Sequence, residues 1–186
     1  MSLRMALLAL LLLPLAAAGQ ARASTEVFQV SSAWVNVNGG VFEVNARIDY
    51  PLEDRVKAAL DAGASVHFDL ECVVEARSRY WLDDEKVDLV FRRSLSWNAL
   101  TQSYVLKDMD SSEQRTFPTL PEALAAAGEV TNWPVVVEPQ LDPDETYHIR
   151  VRASYRRGSP ARLRNLLPWF DGWNRRTEWH SWILPR

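Results

Sequence analysis

Apolar and polar residues alternate with a period of two over much of this chain, and no other feature limits its folding so tightly. From Val66 to Ala76 the even positions hold Val66, Phe68, Leu70, Cys72, Val74 and Ala76, while His67, Asp69, Glu71 and Glu75 occupy odd ones. Successive side chains of a strand point to opposite faces, so this run reads as a half-buried strand of an antiparallel sheet. Val87, Leu89, Phe91, Leu95 and Trp97 continue the pattern against Asp88, Arg92, Ser94 and Ser96. A turn near Asp83-Asp84, within the polar stretch Leu82 to Lys86, pairs residues whose numbers sum to about 167. That register sets Glu75 against Arg92, Arg79 against Asp88 and Cys72 against Leu95. Arg93 falls among core-facing neighbours, which places it near the sheet's edge, because an unpaired buried guanidinium costs too much.

The same reading extends along the chain. Val27 to Val37 and Val41 to Tyr50 flank Asn38-Gly39-Gly40, where glycines suit the positive φ angles of a tight hairpin. Gln102 to Asp108 and Thr146 to Arg156 are further strands, the latter with Tyr147, Ile149, Val151, Ala153 and Tyr155 on one face and four basic side chains on the other. Two segments break the period. Leu52 to Ala62 carries acids in its first turn and Gly63 after its last, and Thr119 to Ala127 has a capping Thr, an early Pro121 and Gly128 at its end, so both read as short helices. The expectation is a mainly β fold, an antiparallel β-sandwich or curled sheet with two short covering helices.

Residues 1–23 do not fit that fold. Arg4 precedes the apolar run Ala6 to Ala18, too short to span a bilayer comfortably, and Ala21-Arg22-Ala23 presents the small residues that signal peptidase reads. A signal peptide cut between Ala23 and Ser24 is expected; Pro14 and the A-x-A ending favour removal over an uncleaved anchor. Cleavage leaves residues 24–186 as a single β-rich domain and, by removing Arg4 and Arg22, takes the formal charge from −3 to −5. That balance argues against a nucleic-acid binder, which would show a basic stripe. The lone Cys72 has no intramolecular disulfide partner, and its place in the apolar alternation makes it a buried small hydrophobe. The location expected is the periplasm.

Chemical motifs are few. His67, His148 and His180 lie far apart with no second ligand at metal spacing, and no nucleophile elbow, zinc helix or phosphate loop occurs, so no metal or cofactor is expected. Asp69, Glu71 and Glu75 share a strand face, and a glycosidase needs only two carboxylates about 5 to 9 Å apart. The competing reading, a solvated face paired with Arg92 and neighbouring basic residues, is preferred. Arg77-Ser78-Arg79-Tyr80-Trp81-Leu82-Asp83 crowds arginines, aromatics and acid at a strand's end, which makes Arg79, Tyr80, Trp81 and Asp83 candidate binding residues. The C-terminal segment 157–186 holds four of the eight tryptophans among six arginines. Trp169 and Trp173 are candidates there, with Leu163, Leu166, Leu167, Phe170 and Trp173 at the helical spacing of membrane-surface helices. Pro168 interrupts that helix, and Trp179 to Leu184 as a last strand closing the core is the preferred reading.

The ordered motifs Leu60-x-x-Gly63, Phe68-x-Leu70-Glu71, Arg77-x-Arg79-Tyr80-Trp81-x-Asp83, Leu95-x-x-x-Ala99-Leu100-Thr101-x-x-Tyr104 and Phe117-x-x-Leu120-x-Glu122-Ala123-Leu124 together resemble the exported bacterial family known as domain of unknown function 4390. The resemblance implies a single-domain envelope protein, with a membrane sensor or its complex as the implied partner, and transfers no catalytic residue. Function is therefore expected to be non-enzymatic binding to another envelope protein through the Arg79-Tyr80-Trp81 turn or the aromatic tail. The alternatives are a glycan or small-ligand module, or a hydrolase, using Glu71 or Glu75, and peripheral membrane contact through residues 162–176.

Overall fold

The computed structural model describes residues 27–51, 53–76, 84–158 and 173–185. Among the described residues, ten strands form two antiparallel sheets that do not close into a barrel, with two short α-helices. The smaller sheet has the order β1 (Gln29–Asn38), β2 (Val41–Asp49), β7 (Glu129–Val137). The larger runs β10 (His180–Ile183), β8 (Tyr147–Arg157), β3 (Val66–Ala76), β4 (Asp84–Asn98), β5 (Ser103–Asp108), β6 (Gln114–Phe117), and β9 (Asn174–Arg176) also pairs with β8. The fold is the expected mainly β, two-helix one.

The core follows the alternation. Phe42, Val44, Ala46 and Ile48 of β2, the even residues of β3 and the odd residues of β8 from Tyr147 to Tyr155 are buried. Removing a side chain such as Ile149 or Leu60 from water contributes about 1.5–3 kcal/mol. Gly39 and Gly40 both have positive φ and join Asn38 to Val41 by a two-residue turn, the geometry that matches strand twist. Helix α1 (Asp54–Asp61) buries Val56, Ala59 and Leu60. It ends where Gly63, at φ +75°, lets its own N–H donate to the Leu60 carbonyl and that of Ala64 donate to Ala59, a paired closure of orphan carbonyls. Helix α2 (Leu120–Gly128) begins with the Thr119 hydroxyl accepting from the Glu122 N–H.

Several expectations need correction. β4 begins at Asp84, so residues 84–86 are strand and not turn, and β3 meets β4 six residues from the expected register: Cys72 opposes Leu89, Asp69 opposes Arg92, Glu75 opposes Glu85 and Asp88 opposes Val73. A period-two pattern is unchanged by any even shift, so the alternation could not reveal the error. Arg93 is not at an edge. It lies between β3 and β5 and turns inward, where Nη1 donates to the carbonyls of Ala126 (2.9 Å) and Ala127 (3.2 Å) at the C-terminus of α2, with the guanidinium 4.6 Å from the Phe91 ring centroid. The last carbonyls of a helix lack intrahelical donors and favour a cation, which is how the core accommodates this charge.

β6, β7 and β9 went unrecognised in the sequence. β7 contains Pro134 and Asn132 at φ +50°, and its pairing with β2 is twice irregular. The buried Asn45, on what reads as a polar face, holds the irregularity together by accepting from the Asn132 N–H at 3.0 Å.

Candidate functional site

Of the residues expected to bind, Arg79, Tyr80, Trp81, Asp83 and Trp169 lie outside the described residues, as do the expected signal peptide and its expected cut between Ala23 and Ser24. Trp173 is described and half-buried. It packs edge-on to Tyr155 at 5.4 Å and lies 5.9 Å from the Arg55 guanidinium. Phe28, Tyr50, Phe68 and Tyr155 continue this aromatic cluster, with ring centroids 4.5 to 6.4 Å apart. The Tyr155 hydroxyl donates to Glu53 (2.9 Å), which also pairs with Arg55. Burial pushes the Tyr155 phenol up to about 12, aided by the Glu53 carboxylate; for Glu53, the hydrogen bonds from Arg55 and Tyr155 outweigh burial and hold its carboxyl below the usual range. Trp182 packs against the core from β10, and Leu184 is buried. These described residues of the tail close the core.

The polar face of the larger sheet is an ionic ladder. Asp69, Glu71 and Glu75 pair with Arg156 (3.5 Å), Arg152 and Arg150 (2.9 Å). Their partners thus come from β8, and Arg92 is only the cross-strand neighbour of Asp69. The Trp179 ring lies 5.0 and 4.3 Å from the guanidiniums of Arg150 and Arg152. Each of these carboxylates is taken up in a charge-assisted contact with a guanidinium of β8. Cys72 is buried, and desolvation pushes its thiol up to about 12, so it is not a nucleophile. Ser65 Oγ lies 3.3 Å from His67 Nε2, but the Gly158 backbone roofs the pair so closely that a Cβ there would sit 2.3 and 2.5 Å from these two atoms.

What the fold leaves open is a strand edge. Among the described residues, every other sheet margin carries a device that discourages pairing: β6, β9 and β10 are three or four residues long, β7 has Pro134 and irregular pairing, and the uncovered half of β4 from Asp84 to Phe91 bears four charged residues. β1 is ten residues long, Gln-Val-Ser-Ser-Ala-Trp-Val-Asn-Val-Asn, with no charge and no proline. Its one irregularity lies early, between Val30 and Ser32. Asn38 and Val41 flank the two-residue turn and so exchange hydrogen bonds, as do alternate pairs back along the hairpin. Ala33, Val35 and Val37 therefore direct their N–H and C=O groups away from β2, toward a side where no described strand pairs. Trp34 and Val37 are 47% and 50% exposed. No signal in the sequence distinguished this strand except its lack of charge.

Beyond the end of β1 a cavity of about 300 Å³ opens between the sheets, lined by Val37 and Phe42, by Leu141 and Tyr147, and by Leu184 and Pro185 from the end of the chain. Glu138 and Asp142 stand at it, and none of its described lining residues is basic. Glu138 also closes the turn, its N–H donating to the Gly40 carbonyl at 2.7 Å. Among the described residues no group of three metal-ligating side chains occurs, and no helix is long and apolar enough to cross a membrane.

Neither a curated protein nor a solved structure matches the chain. The sequence model of a domain of unknown function (DUF4390) matches residues 25–183. With that match spanning the strands of both sheets, the ladder and the open β1 edge, the chain belongs to the DUF4390 family.

Proposed function

We propose that this domain is a non-catalytic binding module of the cell envelope, which recognises another envelope protein by accepting an extended segment of that partner alongside β1. The observation that carries the reading is the long, uncharged, proline-free β1 edge in a fold whose other margins are short, irregular or charged. Main-chain hydrogen bonds supply affinity in such strand addition, and pockets for alternate side chains supply selectivity. The export features of residues 1–23 support a periplasmic place of action.

The test is capture from envelope extracts under mild cross-linking, comparing the unaltered chain with Ala33→Pro. Proline removes an N–H from the open side of β1 and leaves the β1–β2 bonds in place. A partner recovered with the unaltered chain and lost with Ala33→Pro, whose melting remains cooperative, is the expected result. Equal recovery with both would sink the reading.

A further inference from the structure

We propose that the segment accepted by β1 carries a bulky apolar residue that seats in the cavity beyond Val37, with a basic residue close by in the same segment. This rests on strand addition at β1 and assigns the chemistry of what is added. In a sheet, residues directly opposite one another share a face. Val37 opposes the buried Phe42 and lines the cavity with it. A residue of an incoming strand set opposite Val37 from the other side therefore also faces inward, toward Leu141, Tyr147 and Leu184. The cavity, at about 300 Å³, has room for a large side chain, and its apolar walls favour Phe or Leu over a polar residue. Glu138, which stands at the cavity, sets the charge preference. Charge at the margin of such a contact chooses partners more than it adds affinity. Glu138 is exposed and held at the hairpin by its backbone, which leaves its carboxylate available to a cation.

The occupant is thus an extended protein segment with one apolar anchor and a nearby Lys or Arg, and it can be probed without knowing its source. Twelve-residue peptides of alternating Thr and Val are titrated into the full chain, carrying a central Phe and a Lys two positions later, with Ser-for-Phe and Glu-for-Lys versions as controls. Amide shifts along β1 report strand addition. The Phe/Lys peptide is expected to bind at least tenfold more tightly than either control. Leu141→Trp, which fills the cavity from a half-buried position, should abolish the advantage of Phe over Ser, and Glu138→Lys should reverse the preference between Lys and Glu. β1 shifts of equal strength for all three peptides overturn the cavity proposal and leave strand addition standing. No β1 shift with any peptide overturns both. Should Leu141→Trp fail to fold, the exposed Glu138→Lys exchange decides the outcome.

Discussion

Gly128 stands where a side chain has no room. A Cβ built there would lie 2.0 Å from the carbonyl oxygen of Ile48, and since that atom is backbone of β2, either the strand or the helix must move. Gly128→Ala is therefore expected to lower stability by about 1–3 kcal/mol, the usual cost of overpacking, read by urea unfolding. In sequence this residue looks like the helix stop that Gly63 is. Only Gly63 needs its positive φ; the role of Gly128 depends on a strand some eighty residues earlier, which no local pattern encodes. Cys72 is the opposite case, because alternation alone put it inside and the fold keeps it there.

At the scale of elements, α2 depends on a residue of another strand. The Arg93 guanidinium donates to two carbonyls of its last turn, and Arg115 reaches Ala126 at 3.4 Å. Arg93→Met keeps much of the apolar stem but leaves the Ala127 carbonyl without its cation and the Ala126 carbonyl with Arg115 alone. A loss of about 1.5–3 kcal/mol is expected from the value of hydrogen bonds to charged groups, measured by denaturant midpoint, with hydrogen exchange in α2 rising more than in β3. The strands that alternate cleanly, β2, β3 and β8, were readable together with the faces they bury. Pairing partners were not: a six-residue error in the β3–β4 register leaves every side chain on its proper face, and β7 hides behind Pro134 and the positive φ of Asn132. The candidate site was less legible than the fold, since an open edge is a property of how strands are ordered and not of the strand that ends up outermost.

For the molecule as a whole, the first and last of the described residues meet the middle. Phe28 stacks on Tyr50 and meets Tyr155 edge-on near the start, and Trp173, Trp182 and Leu184 cover the core near the finish. Ending the chain after Gly158 removes β9 and β10, bares one side of β8 and withdraws three large apolar groups, each worth about 1.5–3 kcal/mol when fully buried. Against a typical total of about 5–15 kcal/mol, that loss should leave a chain with no cooperative melt by circular dichroism; a sharp transition would show the tail to be dispensable. The bare flank of β1 has a consequence for supply. A strand without charge or proline pairs with whatever extended chain is nearby, including a copy of itself. Under the proposed strand addition, molecules made in excess of their partner would then be the ones that clump, which would tie the tolerated abundance of this protein to that of its partner.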